Sequence, residues 1–284
     1  VNLVEYLTRA SEYLDRHGVA SPRLNAELIL AGLLGTSRLE IYTSFERLLS
    51  DAEADAYREK VMLRGSGIPL QYITGETGFR GLTLRVRQGV FIPRPETEVL
   101  VEKGLEVLES GAGRRVLDLG TGCGNVALSV AVERPSAHVV ATDCDPEAVA
   151  LCAENASSLE VGDRVQVLVG DLFEPARGLE GFDLIISNPP YVPEGARDAL
   201  PVEVRDHEPA AALFAGPEGM DVIRRIAAGA PGHLEPGGWL ALETDESNAA
   251  ITASELEAAG WQDVEVFLDL TGRQRIVRAR WEQL

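Results

Sequence analysis

The chain has 284 residues, 45% of them hydrophobic, and a formal charge of −19 from 45 acidic and 26 basic side chains. No apolar run approaches the ~20 residues of a membrane span, so no membrane partner is expected, and with two lysines and no basic run the chain lacks the footprint of a nucleic-acid binder. The acid is concentrated late: residues 1–70 hold 8 basic and 10 acidic residues, leaving 18 against 35 in the remainder, a surface that serves solubility or attracts a basic protein partner.

In chain order, the first 73 residues read as a small helical domain. "VNLVEYLTRASEYLDRHG" places Leu3, Leu7 and Leu14 on one stripe and stops at Gly18. "SPRLNAELILAGLLG" offers Ser21 as N-cap, Pro22 at the first helical position and Gly35 as the stop. "SDAEADAYREKVMLRG" carries Ser50 and Glu53 at capping-box spacing. Residues 74–93 follow as a linker in which "GFRGLTLRVRQGVF" alternates apolar and polar residues around Gly81, the pattern of a β-hairpin. "IPRPETEVLVEKGLEVLESG" then passes through two prolines into a helix.

From there strands and helices alternate: "RRVLDLG", "NVALSVAVERP", "AHVVATD", "PEAVALCAENA", "RVQVLVGD", "FDLIIS", "GMDVIRRIAAGA", "GWLALET" and "AAITASELEAAG". This spacing predicts βαβ units on a parallel sheet, a doubly wound α/β domain over residues 94–284. "WQDVEVFLDL" and "RQRIVRARW" have only the Thr271–Gly272 turn between them, so the last strand is expected to run antiparallel. Cys123, Cys144 and Cys152 form no CxxC pair or disulfide framework, the four histidines lack metal-ligand spacing, and "VNLVEYL" lacks the layout of an export signal. A metal-free chain in a reducing cytoplasm is expected.

"VLDLGTGCG" (Val116–Gly124) sets a glycine-rich turn between a strand and a helix, where open α/β sheets bind ligands. A G-x-G-x-G alone discriminates poorly. Asp118, two residues upstream of Gly120, would repel a pyrophosphate and favour an ammonium and a sulfonium, the charges of S-adenosylmethionine. Asp143 ends the next strand 19 residues after Gly124, where a carboxylate accepts from both ribose hydroxyls. Asp171 ends the third strand and can meet an adenine amine, with Leu172 as an apolar edge. Each acid alone also fits a helix cap.

"SNPPY" (Ser187–Tyr191) closes the fourth strand beside that crevice. A planar NH₂ is a weak nucleophile because its lone pair is delocalised; acceptors on its two protons turn the lone pair towards an electrophilic methyl. The Asn188 side-chain oxygen and the Pro189 carbonyl can serve as those acceptors. Pro189 and Pro190 fix φ and remove competing N–H donors, and Tyr191 can pack on the planar group. Positioning dominates, and no strong base is required.

"SNPPY" with "DLGTGCG" resembles the class I S-adenosylmethionine-dependent amino-methyltransferases. "QYITGETGFRGLTLRVRQGVFIPRPETEVLVE" (Gln71–Glu102) and "HEPAAALFAGPEGMD" (His207–Asp221) narrow the resemblance to the HemK/PrmC family, the glutamine methyltransferases of peptide-chain release factors, over nearly the whole chain. The resemblance implies a class I methyltransferase sheet of about seven strands with an antiparallel last strand, preceded by a substrate-docking helical domain. It also implies the substrate, the glutamine of a Gly-Gly-Gln loop methylated on its side-chain nitrogen. By motif position, Gly120, Thr121, Gly122, Cys123 and Gly124 would hold the methionine part of the cofactor, with Asp118 nearby, Asp143 its ribose, and Asp171 and Leu172 its adenine. Asn188 would border the cofactor and, with Pro189, Pro190 and Tyr191, hold the glutamine; "RPETE", with Arg94 and Glu98, would line the same cleft. The related family that modifies a ribosomal protein resembles "RSPIAE" there instead.

Two departures stand out: Cys123 replaces the usual serine, and "LETDESNAA" (Leu242–Ala250) keeps Glu243 but has Asp245 and Asn248 where the family pattern E-x-G-x-x-Q has glycine and glutamine. The alternatives are methylation of another protein glutamine or of a nucleic-acid base, which the charge disfavours, and a non-catalytic adaptor, which the intact motifs disfavour. Class 1 release factors are the expected partners of a monomer, without direct nucleic-acid binding.

Overall fold

A computed structural model describes residues 2–44, 46–108 and 113–282. The chain divides into two compact units, Val1–Glu76 with Pro201–His207, and Thr77–Leu200 with Glu208–Leu284.

The first unit holds α1 (Leu3–Arg16), α2 (Pro22–Leu34), α3 (Arg38–Thr43), α4 (Asp51–Gly65) and α5 (Leu70–Thr74). Leu3, Leu7 and Leu14 are buried with Ile29, Leu30 and Tyr57 in its core. The Ser50–Glu53 capping box forms as expected, and a second joins Ser37 to Glu40. Ser21 differs: it precedes α2, but its left-handed backbone (φ 50°) leaves its hydroxyl without a cap bond, and Asn25 Nδ2 reaches back to the Ala20 and Ser21 carbonyls instead. Gly35 ends α2 in the left-handed region at φ 61°, which glycine adopts without Cβ strain.

The second unit opens with the hairpin β1 (Glu76–Phe79) and β2 (Leu82–Arg85), turned by Arg80 and Gly81 with φ 45° and 77°. Two positive φ values in a two-residue loop match the twist of the flanking strands. Then come α6 (Thr97–Val107), β3 (Arg115–Leu119), α7 (Asn125–Glu133), β4 (His138–Asp143), α8 (Pro146–Ser158), β5 (Val165–Val169) and β6 (Phe182–Ser187). The short α9 (Val202–His207) belongs to the helical unit, and α10 (Asp221–Gly229), β7 (Leu234–Glu243), α11 (Ala249–Ala258), β8 (Gln262–Leu268) and β9 (Gln274–Arg280) complete the chain.

The seven-stranded sheet has the order β5-β4-β3-β6-β7-β9-β8, parallel except for β9, which runs antiparallel to both neighbours. Helices cover both faces: Leu100, Leu128 and Leu151 lie in one core, Ile223, Ile226 and Leu256 in the other. Burial on both faces explains the near-continuous apolar reading of "VLDL" and "FDLIIS". The strand order reverses between β3 and β6, and Leu119, Thr142, Ser187 and Leu242 stand in register along one edge. That edge is the switch-point crevice of a doubly wound sheet. No described helix is long and apolar enough to cross a membrane.

Candidate active site

The turn after β3 is tied to its neighbours by backbone bonds. Gly120 and Thr121 donate to the Thr142 carbonyl at 2.8 and 3.0 Å, and Gly122 donates to Asp143 Oδ2 at 2.8 Å. Gly124 has φ 92°, and a Cβ there would stand 2.7 Å from Cys152 Sγ, so only glycine lets the turn pack this tightly on α8. Cys123 is buried, its thiol pushed up to about 12 by that burial. Its carbonyl accepts from Asn155 Nδ2 at 2.9 Å, so the backbone carries its role here.

Asp118 is buried beneath this turn and accepts from Thr121 Oγ1 at 2.7 Å and Ala127 N at 3.1 Å. Burial pushes its carboxyl up to about 7, and no basic side chain pairs with it among the described residues. A cation brought to this site would relieve that cost. Asp143 is raised as well, first by burial, while the Asp145 and Gly122 amides bind its two oxygens and pull the other way. Asp171 is half exposed and pairs with Arg225 of α10; Leu172 sits beside it at φ 48°, its carbonyl accepting from Thr142 Oγ1.

A cavity of about 290 Å³ brings these groups together: Gly120, Thr121, Gly122, Asp143, Asp171 and Leu172 on one side, Asn188 and Pro190 on another. Phe91, Val222 and Arg225 also line it. A larger furrow of about 470 Å³ at Gly162, Asp163 and Val165 lies by the start of β5, away from this edge.

The acceptor turn leaves β6 at Ser187. Asn188 Nδ2 donates to Thr97 Oγ1 at 3.0 Å. Pro189 is buried. Tyr191 donates its hydroxyl to Glu243 Oε1 at 3.1 Å and accepts from Arg275 Nη1 at 3.3 Å. Burial, then the adjoining Glu243 carboxylate, raise the Tyr191 phenol, which stays protonated. Glu243 is fully buried and pushed up to about 7 by that burial. Arg94 pairs with buried Glu208 and its guanidinium lies 4.8 Å from the Phe91 ring centre, while Glu98 Oε1 accepts from the Arg80 amide at 3.0 Å, towards the hairpin turn.

The sequence matches the PrmC N-terminal domain over residues 5–75 and the methyltransferase small domain over residues 83–203. A release factor glutamine methyltransferase of Deinococcus radiodurans is 44% identical over 99% of both chains, and one of Geobacter sulfurreducens is 41% identical over 94% of this chain and 93% of that one. This chain belongs to the release factor glutamine methyltransferase family. Among solved structures it resembles a Thermus thermophilus 16S rRNA N2 G1207 methyltransferase in complex with AdoMet and guanosine (TM-score 0.55, 23% identity, 73% of this chain and 50% of that one). The hMettl16 catalytic domain bound to a 3′UTR hairpin is another neighbour (TM-score 0.56, 17% identity, 82% of both). The shared fold is that of class I methyltransferases, as the sequence implied.

For a member of this family, the divergent Leu242–Ala250 segment acquires a structural part. Asp245 Oδ1 accepts from the Ser247 amide and hydroxyl, which outweigh burial and lower its carboxyl, and Asn248 Nδ2 donates to the Glu218 carbonyl at 2.9 Å. The adjacent Gly219 abuts the turn: a Cβ there would stand 2.2 Å from the Tyr191 carbonyl oxygen. Sequence reasoning gave no site role to Phe91, Arg225 or Arg275, and none to Thr97 beyond its place in a stretch expected to line the cleft. Thr97 lies inside "RPETE" and carries a local signal, a hydroxyl at a helix start; the others meet the site only through the fold.

Proposed function

We propose that this methyltransferase transfers a methyl group from S-adenosylmethionine to the side-chain amide nitrogen of the Gly-Gly-Gln glutamine of peptide-chain release factors. The observation that carries this reading is Asn188: its amide nitrogen is bound to Thr97, and the residue borders the cavity that also holds the glycine turn and Asp143. With the nitrogen so engaged, Oδ1 would be the acceptor that Asn188 offers to a substrate.

The residues present fit the cofactor. Asp118 is a buried carboxyl without a basic partner, suited to an ammonium or sulfonium nearby. Asp143, fixed by two backbone amides, would accept from ribose hydroxyls. Asp171 and Leu172, with Phe91 across the cavity, would hold the adenine. When bound, the cofactor supplies a methyl made electrophilic by its sulfonium.

Asn188 Oδ1 and the Pro189 carbonyl would accept hydrogen bonds from the two N–H groups of the substrate NH₂ and turn its lone pair towards the methyl; once the nitrogen carries the methyl, one of its protons leaves to water. Pro189 and Pro190 present no N–H to compete. Tyr191, held by Glu243 and Arg275, packs against the planar amide. Arg94, over the Phe91 ring, supports the wall of this cleft, while Glu98 holds the hairpin turn and is not among the residues that line the cavity; the helical residues 1–73 dock the release factor, and the reaction belongs to the cytoplasm, where translation occurs. The acidic surface, net −19, suits a protein partner better than a nucleic acid.

The test is to incubate the protein with labelled S-adenosylmethionine and purified release factor. Label on the release factor, absent when the factor's Gly-Gly-Gln glutamine is replaced, is the expected result; label that persists in that variant contradicts the reading.

A further inference from the structure

The cavity wall carries three acids, Asp143, Asp145 and Asp171, and among the described lining residues Arg225 is the only basic side chain. A guanidinium repels a sulfonium and an ammonium. A cation in this wall therefore calls for a reason.

Arg225 is built into its place. Val222, Arg225 and Gly229 follow one another at three- and four-residue spacing on one side of α10. Val222 lines the cavity, and a Cβ at Gly229 would stand 2.6 Å from Phe173 Cε2, so the helix seats closely on the loop after β5. The Phe173 ring has little freedom to give way: it stacks on His233 with ring centres 4.8 Å apart, and His233 Nδ1 donates to the Leu179 carbonyl at 3.0 Å. In the same loop Leu172 holds φ 48°, a left-handed backbone that a leucine resists, while its carbonyl accepts from Thr142 Oγ1 at 3.0 Å. Helix and loop thereby bring Arg225 Nη2 to Asp171 Oδ2. Asp171, Leu172 and Arg225 also line a second recess of about 220 Å³, so they form the ridge that the two hollows share. A half-exposed carboxylate on such a ridge can turn to either side. On the recess side Arg177, whose own partner Glu174 stands 3.6 Å away, would attract it.

We propose that Arg225 is a positioning residue: by taking Asp171 Oδ2 it keeps the carboxylate turned to the cofactor cavity, where Oδ1 would accept from the 6-amino group of adenine, and so makes the site prefer a 6-aminopurine. A carboxylate offers acceptors only, which suits an amine at that position. An ion pair this exposed adds little to stability; its effect falls on where the carboxylate points. This inference rests on the reading of Asp171 as the adenine acceptor.

The probes are S-adenosylhomocysteine and its analogue with hydrogen in place of the 6-amino group, each titrated by calorimetry into the whole protein. Wild type should bind the amino form about tenfold more tightly, the effect of a hydrogen bond to a charged acceptor. Arg225→Met keeps the stem and removes the guanidinium, and with the Arg225 side chain 55% exposed the fold should stand. In that variant the amino form should bind more weakly while the analogue stays within about twofold of wild type, shrinking the preference to about threefold or less. General damage to the pocket would weaken both ligands alike and keep the preference; that result overturns the proposal. So does tighter binding of the amino form, which would make Arg225 a competitor for Asp171. Asp171→Ala is measured alongside. If wild type shows no preference, or Asp171→Ala keeps it, the adenine reading fails and the proposal with it; if Asp171→Ala loses the preference while Arg225→Met keeps it, only the positioning role fails.

Discussion

Asp143 and Asn188 border one cavity, yet their substitutions should separate binding from turnover. Asp143 has both oxygens fixed by backbone amides, so its carboxylate is preorganised towards the ribose position. Asp143→Ala should weaken cofactor binding by ~1.5–3 kcal/mol, the worth of a charge-assisted hydrogen bond, as read by titration calorimetry. Asn188→Ala removes a partner needed most in the transition state, so kcat should fall about 10²–10³ while cofactor affinity changes far less. Glu243 makes a stability prediction. Burial raises its carboxyl from 4.5 to about 7, so the folded state binds its proton more tightly than the unfolded one. The stability this group contributes is therefore complete below 4.5 and is lost as pH rises through about 7, by at most ~3 kcal/mol. Glu243→Gln lacks that loss, so its melting temperature relative to wild type should rise between mildly acidic and mildly alkaline buffer; a constant difference contradicts the assignment.

The elements that depend on local chemistry were legible in advance. The Ser50–Glu53 box, the Gly35 stop, the Gly81 hairpin turn and the alternation of strands with helices follow from spacing and from residues with restricted or permissive φ, and the seven strands with an antiparallel last one follow from the resemblance. The missing Ser21 cap was not legible, because it follows from a left-handed backbone that the sequence does not announce. The acceptor strand of "SNPPY" was visible, but what holds it was not. Glu243 reaches Tyr191 across 52 positions and Thr97 reaches Asn188 across 91, and such pairs exist only after β6 has β7 beside it and α6 packed on it. Gly219 belongs to the same class: its missing Cβ leaves room for the Tyr191 carbonyl. With φ at 75° and a backbone oxygen in the way, Gly219→Ala must shift the turn. It should cost about 1–3 kcal/mol of stability and lower kcat more than it changes cofactor affinity, checked by thermal melts and kinetics on the same sample.

At the scale of the whole molecule, the two units divide the chemistry. Every residue assigned to the cavity lies in the second unit, whereas the helical unit exposes Leu39 (73%), Leu48 (67%) and Met62 (60%) to solvent. If that unit docks the release factor, Leu39→Asp and Met62→Asp together should raise the KM for release factor by about tenfold or more, as truncated interface anchors do, and leave cofactor affinity unchanged. The most direct test of the central claim is a competition: release factor, a glutamine-bearing ribosomal protein and ribosomal RNA offered together with labelled S-adenosylmethionine, and the label located by tandem mass spectrometry. The account predicts one methyl group on the side-chain nitrogen of the Gly-Gly-Gln glutamine, absent with Asn188→Ala. A label carried by the RNA, by the ribosomal protein or by any other release-factor residue would contradict it.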